Sequence, residues 1–296
     1  MLKKNSQNKI AITGSEGLIG KSICDLLYSL NYKLIKIDKL NKIDVSKKKV
    51  IADFLNYHKP KTIIHCAAHP GGLSNKFPIQ DIKTNCIGSI NIIDWCKKND
   101  TKLIFTSSSA VYGDTSSRNI NENSKLRPGT IYASNKIAIE NYIKIFSKLK
   151  NFPWTILRFF PTYGNSHKPN TYQGIVNIML TQIKNSKTII VRGSIKRERD
   201  LVYCKDSSQA IYKTLISDNV SKKIINIGTG KKTTVYEIIT NILNIFGYSI
   251  NNYDIVEEKK LLGDPFSSIC DISLAKKLIS FSPKYSFISG LKDMLK

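Results

Sequence analysis

The stretch Lys9-Ile-Ala-Ile-Thr13-Gly14-Ser-Glu-Gly17-Leu-Ile-Gly20 decides the fold of this 296-residue chain. Residues 9–13 form a short apolar strand pattern, and apolar side chains at helical spacing follow the glycines. Gly14 permits a tight turn, Gly17 lets the backbone approach a pyrophosphate, and Gly20 allows close contact between helix and strand. Because the start of such a helix offers N–H donors to phosphates, the unit predicts a dinucleotide site.

A carboxylate, Asp38, follows the second strand pattern at residues 33–37. It stands roughly 20 residues beyond the glycines, where a carboxylate accepts hydrogen bonds from the adenosine ribose and repels a 2′-phosphate. The position therefore favours NAD over NADP as the cofactor. Lys36 and Lys39 flank the carboxylate and weaken this preference.

A serine-rich strand end and a helix supply the candidate chemistry. The strand pattern at residues 102–107 runs into Ser108, and Tyr132 and Lys136 follow, four residues apart on one face of a predicted helix. Oxidation of a sugar hydroxyl by nicotinamide requires a base, and a phenol can serve when an ammonium and the nicotinium charge favour its phenolate. We expect Ser108 to donate a hydrogen bond to the same substrate oxygen and Lys136 to hold the nicotinamide ribose as well.

These motifs, in this order, resemble the extended short-chain dehydrogenase/reductases, specifically nucleotide-sugar epimerases and dehydratases of the UDP-glucose 4-epimerase type. The resemblance covers essentially the whole chain. The further motifs that carry it are TILRFFPTYG at 155–164, RDLVYCKD at 199–206, INIGTG at 225–230 with TVYE at 234–237, GDP at 263–265, and DISLAK at 271–276. It implies an α/β fold: a Rossmann-type doubly wound parallel sheet with a smaller C-terminal substrate-binding α/β domain.

The resemblance also implies further residues around the cofactor. Asp44 and Val45 would contact adenine, while the small residues Ala67 and Ala68 leave room for the cofactor and Asn85 opens the following helix. The remaining cofactor contacts that it implies are Leu18, Ile19 and Phe159, together with Tyr132 and Lys136.

For the substrate, the resemblance implies that Arg199 grips a nucleotide diphosphate. The other substrate-binding residues that it implies are Ser108, Ser109, Thr162, Lys260 and Asp264. The chain departs from the family pattern at two positions. Pro161 replaces an asparagine that usually contacts the substrate, and Lys259 or Lys260 stands for the second diphosphate arginine, offering a point charge instead of a planar fork.

Alternating strand and helix patterns predict a NAD-binding domain over residues 1–165, and residues 166–296 would form the nucleotide-sugar-binding domain, with 224–246 packing back on the first. Residues 165–173 and 193–199 predict loops over the cleft. The helices predicted near 79–98 and 132–149 carry more apolar side chains than one buried face requires. The resemblance implies that they form a four-helix bundle in a homodimer.

Composition excludes several classes of function. The net charge is +24, but 40 of the 46 basic residues are lysines spread along the chain without interleaved aromatics, so it does not predict nucleic-acid binding. The six cysteines are scattered, which predicts reduced thiols, no metal site and a cytoplasmic location. No apolar run is long enough for a membrane span, and the first residues predict no signal peptide.

Two histidines and the residues after Ser108 refine the prediction. His65 lies in a strand pattern and is expected in the core, whereas His69, just after the cofactor-lining strand, is a candidate for facing the substrate. Ser109 and Ala110 occupy positions where dehydratases and decarboxylases of the group place acidic residues, so the sequence favours an epimerase acting at C4. The alternatives are an NAD(P)H-dependent nucleotide-sugar ketoreductase, a non-catalytic dinucleotide-binding regulator and, on charge alone, an RNA-binding descendant of the fold.

Overall fold

A computed structural model of the chain describes residues 9–115, 119–165, 172 and 174–296. The strands in this part of the chain are β1 Ile10–Thr13, β2 Leu34–Ile37, β3 Thr62–His65, β4 Lys102–Ser108, β5 Trp154–Phe159, β6 Thr162–Tyr163, β7 Thr188–Arg192, β8 Glu198–Arg199, β9 Val202–Tyr203, β10 Lys223–Ile227, β11 Thr233–Thr234, β12 Asp254–Glu258 and β13 Ser267–Ser268. The helices are α1 Leu18–Ser29, α2 Lys48–His58, α3 Gly71–Ser74, α4 Pro78–Asp81, α5 Gly88–Asn99, α6 Ile131–Leu149, α7 Ile175–Asn185, α8 Cys204–Ile216, α9 Val235–Ile245, α10 Ser273–Ile279 and α11 Phe287–Met294. A π-helical segment, Ile82–Ile87, joins α4 to α5.

Six parallel strands form the central sheet in the order β10-β5-β4-β3-β1-β2. The chain leaves β1 towards β2 on one side and returns to β3 on the other, so the order reverses between β1 and β3. Ligands of doubly wound sheets bind at this point, outside the carboxyl ends of the strands. The predicted fold class is confirmed, and the topology brings the ends of β1 to β5 to one edge.

Two hydrophobic layers cover the faces of this sheet. Because side chains alternate along a strand, Ala11 and Ile63 enter the layer with α2, α5 and α6, whereas Ile12 and Ile64 enter the layer with α1, α8 and α10. These four side chains are fully buried. Burying an isoleucine side chain contributes about 1.5 to 3 kcal/mol, so the two layers hold the strand ends in place.

A third hydrophobic cluster lies in the C-terminal half, where α7, α9 and α11 pack together with β7. The segment 224–246 is divided between the two halves: β10 pairs with β5 in the large sheet, and α9 packs against α7. Helices α8 and α10 also lie against the large sheet. The division near residue 165 remains a proposal, in which β10, α8 and α10 return to the N-terminal unit.

No helix in the described ranges combines the length and the apolar character that crossing a bilayer requires.

Candidate active site

The glycine turn between β1 and α1 is built by backbone contacts. Gly14 has φ +66°, and a Cβ there would stand 2.7 Å from the Ala67 nitrogen. A Cβ on Gly20 would overlap the Gly14 carbonyl oxygen. Helix α1 begins without a side-chain cap, so its first N–H groups remain for an anion. These features fit a bound pyrophosphate, and Gly17, Leu18 and Ile19 line the cleft beside them.

Asp38 follows the last residue of β2, and backbone N–H groups fix the orientation of both its carboxylate oxygens. Its Oδ1 accepts the Leu40 N–H at 3.0 Å and its Oδ2 accepts the Glu16 N–H at 3.2 Å. Each carboxylate oxygen can accept more than one hydrogen bond, so the group can still bind ribose hydroxyls.

The two flanking lysines both have carboxylate partners. Lys36 lies 3.6 Å from Glu16, and Lys39 lies 3.5 Å from Asp44. Since each ammonium already faces a carboxylate, neither is positioned as an unpaired charge for a 2′-phosphate. These pairs lessen the sequence-based reason for weakening the preference for NAD, although Lys39 also lines the cavity beside Asp38.

A small cavity of about 220 Å³ lies beside Asp38 and suits the adenine ring. Ile37, Ile43 and Val45 form apolar walls, and Ala67 leaves space between them. Ala68 lines both this cavity and the main cleft.

Two of the implied cofactor residues are engaged elsewhere. Asp44 Oδ1 accepts the Ser46 N–H at 2.8 Å. Asn85 is 2% exposed, and its Oδ1 accepts the His69 N–H at 2.8 Å. The structure thus places Asn85 as a support of the loop after β3, and a direct cofactor contact by either residue stays a prediction.

Ser108, Tyr132 and Lys136 line the same cleft, whose volume is about 690 Å³. Ser108 ends β4, and Thr130 caps α6 by accepting the Ala133 N–H at 3.2 Å. Lys136 donates from Nζ to the Thr106 carbonyl at 2.8 Å, and its Nζ lies 5.5 Å from the centre of the Tyr132 ring. The three predicted catalytic side chains are therefore brought together, with Phe159 also on the cleft wall.

Burial opposes the charge on both titrating groups of this trio. It lowers the pKa of Lys136 to about 8 and raises the pKa of Tyr132 to about 12, while Ser108 acts in the opposite direction on the phenol. At neutral pH Tyr132 is consequently a neutral phenol beside an ammonium. An additional positive charge in the cleft is what would favour its phenolate.

A buried ion pair, which sequence reasoning missed, holds the helix of Tyr132 and Lys136 against the sheet. Arg158 on β5 pairs with Glu140 at 2.6 Å, and Ser107 donates its hydroxyl to Glu140 at 2.6 Å. Glu140 stands one helical turn beyond Lys136, so this contact fixes α6 against the end of β4. Its signal in the sequence was the four-residue spacing from Lys136, which puts both side chains on one helix face.

At the opposite end of the cleft, two arginines share one carboxylate. Asp264 pairs with both Arg199 and Arg197. Arg199 and Asp264 line the cleft together with Ser109 and Thr162. Arg197 was missed, although the scarcity of arginine in the sequence was a usable signal.

Lys260, implied as a substrate ligand, instead pairs with Asp114. Its side chain is about half exposed, and it is not among the described residues that line the cleft. The structure therefore gives no support to a direct substrate contact by Lys260, which stays a prediction. The lysine does anchor the strap of residues 260–265 to the loop after β4.

The backbone of this strap touches the segment that precedes the catalytic helix. A Cβ on Gly129 would stand 2.5 Å from the Gly263 Cα, and Gly263 itself has φ +74°. Gly129 comes directly before Thr130, the cap of α6. Close packing of two glycines thus joins the substrate strap to the helix that carries Tyr132.

His65 and His69 lie in different surroundings, one in the core and the other at the cleft. His65 is buried, bonded to Thr13 and Ser89, and burial lowers its pKa to about 3, which confirms a core position. His69 lines the cleft, and its Nε2 is buried without a hydrogen-bond partner. Its role towards the substrate remains a prediction.

Two more residues line the cleft and are candidates for substrate contact. Pro161 lines the cleft and offers no side-chain amide there. Asn177 of α7 also lines the cleft, and no motif in the sequence indicated it. Within the described ranges, no group of three or more histidine, cysteine or acidic residues could hold a metal ion.

Comparisons with known proteins point to one family. The model of the NAD dependent epimerase/dehydratase family matches residues 10–228. A relative from Methanocaldococcus jannaschii, which carries the provisional name UDP-glucose 4-epimerase, is 30% identical over 97% of both chains. The dTDP-4-dehydro-6-deoxyglucose reductase of Escherichia coli is 25% identical over 98% of this chain and 97% of its own. The solved UDP-glucose 4-epimerase of Thermotoga maritima with UDP-glucose is 26% identical, with a TM-score of 0.89 over 97% of both chains.

Proposed function

Because the chain belongs to the NAD dependent epimerase/dehydratase family, we propose that it is a nucleotide-sugar epimerase that inverts C4 through a transient 4-keto sugar. The observation that carries this proposal is the meeting of Ser108, Tyr132 and Lys136 in the cleft that the glycine turn also lines. Family membership agrees with the expected cofactor, NAD.

The residues of the cleft divide the proposed reaction among themselves. NAD, when bound, supplies a reversible acceptor for the hydrogen and electron pair of C4. Tyr132 takes the proton of the 4-hydroxyl at its phenolic oxygen from the phenolate state, which the Lys136 ammonium and the positive charge of the oxidised nicotinamide, when bound, would together favour. Ser108 donates a hydrogen bond to the same substrate oxygen and so orients it. Tyr132 returns the proton once the sugar has presented its other face.

The diphosphate provides the fixed point around which the sugar turns. Arg199 holds it at the far end of the cleft, while Ser109 and Thr162 line the space between. A site that binds the nucleotide firmly and the sugar loosely suits inversion, since the 4-keto sugar must expose both faces in turn.

Water loss requires a second acid and base near C5 and C6. Ser109 and Ala110 follow Ser108, and neither side chain has a carboxyl group that could act as this acid or base. The nearby Asp114 is paired with Lys260. The epimerase is therefore favoured over a 4,6-dehydratase.

A ketoreductase is the second candidate, and the Escherichia coli reductase supports it because it aligns along nearly the whole chain. The two activities differ in their use of cofactor. A reductase consumes NAD(P)H with each turnover, whereas an epimerase ends with NAD as it began.

The test begins with mass spectrometry of the ligands released from purified protein, which identifies cofactor and any nucleotide sugar. Incubation with that sugar, or with UDP-glucose, should yield a stereoisomer of equal mass and no net change in NADH absorbance. The Tyr132→Phe variant serves as the matched control. A product about 18 Da lighter, the mass of one water, or steady consumption of NAD(P)H, would overturn the epimerase proposal.

The catalytic helix α6 and the helix predicted near residues 79–98 support a homodimer through a four-helix bundle. Apolar side chains at helical spacing remain exposed on both predicted helices: Ile79, Ile82 and Ile87 on one, and Tyr142, Ile145 and Leu149 on the other. Covering such a stripe is favourable at about 25 cal/mol per Å².

We expect Ile145→Lys to shift the protein to a monomer in light scattering. Tyr57→Lys is the control, because Tyr57 lies on α2 and is 81% exposed. A monomeric wild-type protein would refute the bundle.

A further inference from the structure

The cluster around Asp264 contains more positive charge than the sequence motifs required. Arg199 reaches one oxygen of the carboxylate and Arg197 reaches the other. Both arginines are almost fully buried, at 5% and 6% exposure, in a chain that has six arginines in all. Arg197 Nε also donates to the Ser194 carbonyl at 3.1 Å, which fixes the plane of its guanidinium.

The two arginines differ in their access to the cleft. Arg199 and Asp264 line it, and Arg197 is not among the described lining residues. Arg199 donates to the Glu198 and Phe266 carbonyls as well as to Asp264. Since a guanidinium has five N–H donors, these contacts leave donors for an anion in the cleft.

If Arg199 were its sole partner, Asp264 would weaken the binding of a diphosphate in the cleft. The carboxylate would then cancel the charge that must attract a diphosphate, and it would repel the phosphates directly. With Arg197 on its second oxygen, the cluster retains one net positive charge. Neighbouring carboxylates have cations of their own, because Glu198 pairs with Lys232 and Asp114 with Lys260.

We propose that Arg197 is a positioning residue of the diphosphate site, which offsets Asp264 so that Arg199 can bind the anion with its charge intact. This inference rests on the proposed function, since it assumes a nucleotide diphosphate in the cleft.

The experiment measures nucleotide affinity by calorimetry on NAD-loaded protein. UDP, dTDP, GDP and CDP are each titrated, and the one that binds tightest is kept as the probe. Arg197→Ala should weaken its binding about 30-fold or more, as for other truncated buried charge pairs. The corresponding nucleoside monophosphate, which carries less negative charge, should lose less.

A double-mutant cycle identifies the cause of that loss. In the Asp264→Asn background no carboxylate remains to be offset, so Arg197→Ala should cost less than about threefold. Arg192→Ala is the matched control: it removes one arginine at the end of β7, whose exposed side chain pairs with Glu258, and should leave affinity unchanged.

Equal affinity of wild type and Arg197→Ala, or the same loss in the Asp264→Asn background, would overturn the inference alone. Failure of all four nucleoside diphosphates to bind the wild-type protein would refute the proposed function with it. If Arg197→Ala loses its cooperative thermal transition, Arg197→Lys and Arg197→Gln replace it. The lysine variant should keep most of the affinity and the glutamine variant should lose it, and equal behaviour of the two would contradict a role of charge.

Discussion

The two ends of the cleft are built in different ways. At the cofactor end, backbone does most of the work: Gly14 and Gly20 bring strand and helix together, and the uncapped start of α1 faces the cleft. At the substrate end, side-chain charges from β8 and from the distant strap meet, as Arg199 and Asp264 do. A backbone-built site depends on local spacing, whereas a charge-built site depends on which segments the fold brings together.

The catalytic trio lies between the two ends, and the largest effect is expected there. Tyr132→Phe removes the proton carrier and should lower kcat by about 10³-fold, in the range for loss of a general base. Both NAD and the nucleotide diphosphate should still bind with unchanged affinity in calorimetry. Turnover near the wild-type level would show that Tyr132 is not the base.

Loss of Arg199 should affect the substrate end alone. Arg199→Ala is expected to weaken nucleotide-sugar binding by about 2 to 5 kcal/mol, because a buried charge pair loses one partner. NAD affinity, measured by fluorescence titration on the same preparation, should not change. An equal loss at both ends would mean that the cleft is one cooperative unit whose two ends do not bind independently.

Asp38→Ala is the reciprocal change at the cofactor end. This change removes the hydrogen bonds to ribose and the repulsion towards a 2′-phosphate. The ratio of NAD affinity to NADP affinity should therefore fall about tenfold. Nucleotide-diphosphate binding should stay as it was. A wild-type protein that already prefers NADP would contradict the argument and favour the ketoreductase.

The smallest effect concerns the stability of NAD-free protein against pH. The pKa of Lys136 is about 8 in the fold, below the ordinary value of 10.5, so the unfolded chain binds more protons between those values. The penalty for burying the ammonium is present below about pH 8 and disappears as the pH approaches 10.5. Relative to Lys136→Met, the wild-type Tm should therefore rise across that interval. A constant difference in Tm would show that Lys136 titrates normally.

Much of the first half of the chain could be predicted because its signals are local. The glycine spacing, the strand that ends at Asp38 and the spacing of Tyr132 and Lys136 each depend on a few neighbouring residues. The topology of the sheet then brings those residues to one edge without further information.

The missed contacts are of another kind. Glu140 finds Arg158 across two elements, and Arg197 finds Asp264 from 67 positions away. Lys260 stands in the sequence near the position of the family's second diphosphate arginine, yet in the fold it pairs with Asp114. Helix spacing or the rarity of arginine can mark such residues as candidates, but the partner that each one meets follows from tertiary packing.

The contact between Gly129 and Gly263 has a consequence for protein engineering. Because neither backbone leaves room for a Cβ, the strap and the start of α6 form a seam whose two sides must match atom by atom. A chimera that takes its strap from a relative, in order to change the preferred sugar, would pack a foreign strap against the original start of α6. Modular exchange should succeed only when both sides of the seam are transplanted together, so the smallest exchangeable unit is larger than the strap alone.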